Sequence, residues 1–225
     1  MPKNRLLLQL PVQAQETLLG GADYVALPLG HPLARIGDTV SAAYFPDAGL
    51  MSLISEMTTG HHVAVAAVGA EGMVGLGALF GLRHHLYSPV TFVPSHGYLV
   101  GADRLRRVFG DSEDFRRVLF AYVGGRIGEL AIAAACNRVH SHRQRLARWL
   151  LIATDKAQQR SLPFTHDALA QLVGGPRHAV TVALKQLRAK GAIAHSRGHI
   201  DVLKRHVLIE EACECYTPAA PIVLP

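Results

Sequence analysis

The segment Gly174-Gly175-Pro176-Arg177-His178 gathers residue types that can read a nucleic acid. Two glycines end one helical pattern, and Pro176 opens the next, where its missing N–H costs nothing. Arg177, His178 and Thr181 fall near the start of that second helix, and Lys185 about two turns in. Val180, Ala183, Leu184 and Leu187 recur at helical spacing and give it a buried side. Arg177, His178, Thr181 and Lys185 then lie on or near the opposite side. An arginine can hold the O6/N7 edge of guanine with two hydrogen bonds, and histidine or threonine can make single base-edge or phosphate contacts. Lys185 suits a phosphate. The dipole of a helix start disfavours a cation there, so Arg177 has some reason to stand at that position. Thr165 is placed to cap the preceding helix and to add a phosphate contact from its hydroxyl and the free N–H groups beside it. Arg197, at a Ser196-Arg197-Gly198 turn, can reach an adjacent phosphate or the minor groove.

The elements around these residues follow a known order. Thr165 to Val173 reads as a helix with Leu169, Leu172 and Val173 apolar, and the helix from Pro176 runs to Gly191. Ile193–His195 and His199–Leu203 then read as a hairpin. Helix, glycine turn, helix, basic hairpin is the winged helix-turn-helix order, whose second helix sends its first residues into the DNA major groove. Upstream, roughly His140 to Gln158 reads as a helix with Leu146, Trp149, Leu150 and Ala153 on one face. From Ser112 to Asn137 a longer apolar stripe includes Leu119, Tyr122, Val123, Ile127, Leu130 and Ala134. It also carries Gly124, Gly125 and Gly128, each worth about 1 kcal/mol against a helix relative to alanine. Close packing must compensate, and a second copy of the same helix is the economical partner. Residues 23–101 read instead as short strands: 25–27, 43–45, 51–54, 63–68, 90–93 and 98–100. Turns at Gly30-His31-Pro32, Pro46-Asp47-Ala48-Gly49, Thr59-Gly60 and Pro94-Ser95-His96-Gly97 separate them. This predicts a compact antiparallel sandwich or barrel.

Charge supports a polyanionic partner for the C-terminal half. Residues 1–101 hold 4 Lys/Arg and 6 Asp/Glu, residues 102–159 hold 11 and 6, residues 160–206 hold 8 and 2, and residues 207–225 hold 0 and 3. The three cysteines form no disulfide framework. Cys136 stands alone, Cys213-x-Cys215 is a weak metal signal, and no metal site is expected. No run approaches the about 18 to 20 apolar residues of a membrane span, and the N-terminal segment lacks the features of a signal peptide. The expected location is cytoplasmic, with no membrane partner. The chain has no G-x-S-x-G, phosphate-binding P-loop or H-E-x-x-H, so an enzyme is not expected.

Taken with EGMVGLGALFG (71–81) and AACNRVHSHRQRLARWLL (134–151), the helix-turn-helix FTHDALAQLVGGPRHAVTVALKQLRAKGAI and its wing make the chain resemble the Crp–Fnr family of bacterial transcription regulators. The resemblance covers nearly the whole length. It implies an α+β architecture: an N-terminal β-roll of the cyclic-nucleotide-binding jelly-roll type over 1–111, a dimerisation helix over 112–138, and a winged helix-turn-helix domain over 139–225. It further implies a homodimer on palindromic double-stranded DNA, with RNA polymerase as a partner. In cyclic-nucleotide-binding members a Gly-Glu-Leu segment and a following arginine hold the ligand. The matching effector-pocket positions here are Gly75, Leu76, Tyr87 and Ser88, so the glutamate and arginine are missing. Leu130 and Ala131 replace the Thr-Ser pair that meets adenine, and no cysteine precedes Cys136. Cyclic AMP and an iron–sulfur cluster are therefore not expected. Haem is not expected either, although His61-His62 and His84-His85 lie in the sensory region. His178 stands where relatives often carry a glutamate. The alternative function is a small-molecule sensor or binding module whose basic domain contacts protein or non-specific nucleic acid.

Overall fold

The computed structural model describes residues 1–196 and 198–217. After α1 (Val12–Leu19), the N-terminal region is built on β1 (Asp23–Leu27), β2 (Ala42–Glu56), β3 (His62–Val68) and β4 (Ser88–Gly101). All pair antiparallel, in the order β1-β4-β2-β3. This corrects the reading of six short strands in a sandwich or barrel. Two of the expected turns are strand interior: Pro46 to Gly49 lies inside β2 and Pro94 to Gly97 inside β4. They pair with each other through register shifts between Pro46 and Ala48 and between Ala48 and Leu50. Such bulges bend a strand without ending it. Gly97 permits the approach, because a Cβ there would lie 2.1 Å from the Phe45 carbonyl oxygen. The sheet is not a closed barrel. The cluster Leu27, Tyr44, Met51, Leu53, Ala66, Val68 and Val74 fills its interior, with Tyr87 packed against it.

Two helices follow the sheet. α2 (Ala102–Asp111) is a helix that the strand-like pattern before it concealed. α3 (Glu113–Val139) runs 27 residues without a break through its three glycines. The Ser112 hydroxyl caps α3 by accepting from the Phe115 N–H at 3.2 Å. Phe115, Val118, Leu119 and Tyr122 are buried against Leu6, Leu105 and Met73. The Tyr122 hydroxyl both accepts from the Met73 N–H and donates to the Met73 carbonyl, each at 3.1 Å. Leu119 and Tyr122 are thus part of the protomer's own core, not of a free interface. Further along, Ile127 is 63% exposed and Phe120 59%. An 18-residue window of α3 has a mean hydropathy of 1.5, enough by length and composition to cross a bilayer. Counting apolar runs missed this, because glycine and alanine carry much of the stretch.

The C-terminal region comprises α4 (His142–Ala157), β5 (Ser161–Leu162), α5 (His166–Val173), α6 (Arg177–Ala189), β6 (Ile193–Ser196), β7 (His199–Val202) and α7 (Arg205–Glu211). The hairpin is as expected; β5 and α7 were not. β5 adds a third strand beside β7. One continuous core joins the two regions: Leu50, Ile54, Ala64, Phe92 and Val93 from the sheet pack with Leu146, Leu150, Phe164, Leu169 and Leu184.

Buried charge reinforces the junction. Lys156 of α4 lies 2.5 Å from Glu71 of the sheet region and 3.6 Å from Glu129 of α3. Arg126 of α3, also buried, lies 2.5 Å from Glu129 and donates to the Ala67 carbonyl at 3.1 Å. Burial alone pushes the Glu71 carboxyl up, but Lys156 beside it outweighs this and holds it below the ordinary carboxylate value.

Candidate nucleic-acid interface

The turn between α5 and α6 is set by local chemistry. The Thr165 hydroxyl caps α5 by accepting from the Ala168 N–H at 3.1 Å. Gly174 ends α5 in the left-handed region at φ 64°, where its N–H reaches the Ala170 carbonyl at 2.9 Å. Gly175 serves close packing instead, since a Cβ there would lie 2.4 Å from the His142 ring. The glycine lets the first residue of α4 close against the turn. Pro176 is the N-cap of α6, so the helix begins at Arg177, one position after the expected start.

Val180, Ala183, Leu184 and Leu187 are buried, as their spacing requires. Arg177, His178 and Lys185 are exposed on the outer side of α6. Val182 shares that side and is 52% exposed. Sequence reasoning missed it, since an apolar residue there reads as core. An exposed aliphatic group on such a face can meet a thymine methyl. Arg177 lies 3.5 Å from Asp167 of α5, with both side chains open to solvent. Such a pair is worth little and gives way readily to a phosphate or a base edge. Thr181 is less free than expected. Its hydroxyl donates to the Arg177 carbonyl at 3.0 Å, and His166 Nδ1 lies 3.0 Å from the same oxygen. Burial first, then His195 and Arg177 nearby, pushes the His166 ring below its ordinary value. Arg197 lies outside the described residues.

Gly75 and Ser88, two of the positions matched to the effector pocket, are held by contacts within the protein. Gly75 adopts φ 96°, where a Cβ would lie 2.7 Å from the Ala42 carbonyl oxygen. Leu76 begins a short 3-10 turn, Leu76–Ala78. Ser88 donates to Glu56 at 2.7 Å and accepts from the Ile36 N–H at 3.0 Å. A carboxylate beside Ser88 repels the phosphate that an arginine would attract. Of the sheet-region histidines, His84 Nδ1 lies 3.0 Å from the Gly37 carbonyl oxygen, and His85 is buried, which lowers its pKa.

A second cluster was not foreseen. Cys136 in the last turn of α3 lies 3.5 Å, sulfur to sulfur, from Cys213, which follows α7. Cys215 Sγ lies 3.7 Å from Nδ1 of His140. The four ligand atoms all lie within 4.8 Å of one another and could hold a metal ion. The expectation of no metal site had rested on Cys136 standing alone and on a bare C-x-C, and the fold removes both premises. The hint in the sequence was Cys136-x-x-x-His140, one helical turn apart. Burial, then Cys213 beside it, pushes the Cys136 thiol up to about 12.

A three-stranded wing beside a glycine-turned helix pair, carried on a long helix behind an antiparallel sheet, is a winged helix-turn-helix layout joined to a sheet region. Residues 144–211 match the Crp-like helix-turn-helix domain. The same fold occurs in the c-di-GMP-responsive global regulator CLP of Xanthomonas campestris, with 19% identity and a TM-score of 0.71 over 86% of this chain and 100% of that one. A CRP-family transcriptional regulator of Thermus thermophilus has 17% identity and a TM-score of 0.75, over 87% of this chain and 100% of that one. FixK2 of Bradyrhizobium japonicum has 15% identity and a TM-score of 0.72, over 85% and 98%. No curated protein matches by sequence. Residues 144–211 thus carry a Crp-like helix-turn-helix domain, and the chain shares its overall fold with these regulators.

Proposed function

We propose that the chain is a homodimeric transcription regulator that reads a palindromic site through α6, under control of a signal received in the sheet domain. The observation that carries the reading is the outer edge of α6. Arg177, His178, Val182 and Lys185 are exposed there, while Val180, Ala183, Leu184 and Leu187 anchor the opposite side. In this reading Arg177 and His178 meet base edges, Thr181 positions Arg177 through its carbonyl, and Thr165 and Lys185 take phosphates. Pro176 fixes the angle at which the helix enters the groove.

Support for the dimer comes from α3. Phe120, Gly124, Ile127, Ala131 and Ala134 recur at alternating spacings of four and three on its exposed surface, the spacing of a two-helix seam. A Cβ at Gly124, Gly125 or Gly128 would touch nothing within 4 Å, so these glycines leave room for a second backbone. Val123, Ile127, Leu130 and Ala134 remain the interface residues; Leu119 and Tyr122 support them from behind. The core shared by the sheet and α4–α5 supplies a route from sensory domain to DNA reader. Selection of binding sites from a random DNA pool tests the reading. An enriched palindrome with half-site centres about 34 Å apart supports it. A pool without any enriched sequence favours a module with only non-specific or protein contacts.

A further inference from the structure

We propose that Cys136, His140, Cys213 and Cys215 form a mononuclear Zn²⁺ site that ties the chain after α7 to the corner between α3 and α4. Structural zinc takes four ligands at the corners of a tetrahedron, with Zn–S near 2.3 Å and Zn–N near 2.0–2.1 Å. Those lengths place two sulfurs about 3.8 Å apart and a sulfur and a nitrogen about 3.6 Å apart. The observed edges are 3.5 Å for Cys136–Cys213 and 3.7 Å for Cys215–His140. An iron–sulfur cluster with two irons would spread its ligands in two separated pairs, whereas these four ligand atoms all lie within 4.8 Å of one another.

The surroundings suit an ion as well. His140 presents Nδ1 to Cys215, while its Nε2 lies 3.1 Å from the Glu214 carboxylate. A carboxylate that accepts from the outer nitrogen of a ligating histidine fixes the tautomer and turns the inner lone pair to the metal. Three thiolates and one Zn²⁺ leave one net negative charge. The buried Arg148 lies against it, donating from Nε to the Cys215 carbonyl at 3.1 Å. On binding, the three thiols release their protons to solvent and neutral His140 donates its lone pair, so no oxidant or reductant takes part.

The location suggests what the ion does. Cys136 ends α3, and His140 is the residue between α3 and the Ser141 cap of α4. Cys213 and Cys215 follow α7, whose Glu211 pairs with Arg143 of α4 and Lys190 beyond α6. The ion would therefore fix the hinge on which the helix-turn-helix domain hangs. The site itself stands independently of the DNA reading; only this consequence rests on it.

The test uses the reduced full-length protein, its metal content, and titration with Co²⁺ alone. One Zn²⁺ per chain is expected as isolated. Co²⁺ should bind at one equivalent, with the intense visible bands and sulfur-to-metal charge transfer of a tetrahedral thiolate site. Glu214, exposed, and Cys215, half-buried, are the positions to vary. Glu214→Gln should weaken Co²⁺ binding about 10- to 100-fold, and Cys215→Ser should weaken it further, with circular dichroism unchanged in both. Absence of binding in the folded wild-type protein overturns the site. So does a Cys136–Cys213 disulfide that forms equally fast with and without Zn²⁺, read by thiol alkylation and mass spectrometry. Iron in place of zinc, without Zn²⁺ affinity, overturns the choice of ion. If the metal binds but chelation leaves DNA affinity unchanged, the hinge role falls and the site stands.

Discussion

Lys156 offers a sharp test of how the three parts of the chain are joined. Its ammonium is buried between Glu71 and Glu129, so Lys156→Met leaves two carboxylates without their shared cation. Breaking a buried pair by removing one partner costs about 3–5 kcal/mol. Glu71 keeps the Gly69 N–H at 3.1 Å and Arg5 at 3.9 Å, which places the loss at the lower end, about 3 kcal/mol. For a chain of this size that is about 6–12 °C in melting temperature. Trp149, the only tryptophan, sits buried on the same helix and reports urea unfolding by fluorescence. Adding Glu71→Gln should recover much of the loss, because the uncompensated charge goes with it. The sign of the pH dependence follows from the Glu71 carboxyl, which is lowered in the folded state. Its contribution is complete above the unfolded value of about 4.3 and is lost as pH falls through the lower folded value. The gap between wild type and Lys156→Met should therefore narrow below about pH 4. A single variant within about 0.5 kcal/mol of wild type, or a double variant no better than the single one, would refute the reasoning.

Three further outcomes are expected. Arg177→Ala should lose about 1–3 kcal/mol of sequence discrimination, while Lys185→Ala should weaken specific and random DNA alike and lower the salt slope by about one; electrophoretic mobility shifts on both DNAs check this, and equal losses for Arg177→Ala count against base reading. Ile127→Glu should give a folded monomer in sedimentation, whereas Leu119→Ala should keep the dimer and lose about 2–5 kcal/mol of stability. Tyr122→Phe should cost about 1–3 kcal/mol, since it strands both polar groups of Met73, and thermal unfolding measures it.

The helix-turn-helix was legible because its signals are local. Thr165, Gly174, Gly175 and Pro176 act within a few residues of where they stand, and Val180 to Leu187 repeat at helical spacing. The sheet was harder to read for the opposite reason. Pro46-Asp47-Ala48-Gly49 has turn chemistry, yet pairing with β4 across some fifty residues turns it into a bulge within one strand. Periodicity placed Leu119 and Ile127 on one stripe, but it cannot tell burial inside a protomer from burial between two. The cysteine cluster was the least legible. Cys136 and Cys213 stand 77 residues apart in sequence, and only the packing of α7 brings them together.

The core that runs from Phe92 and Val93 through Leu150 to Leu169 also bears on how such chains can be recombined. A helix-turn-helix grafted from another chain of this fold at residue 139 would arrive with the wrong partners for Leu50, Ile54 and Ala64. Its Lys156 counterpart would have to find Glu71 as well. The usable crossover is a surface, not a position in the sequence, so a working chimera must carry both sides of that surface from the same parent.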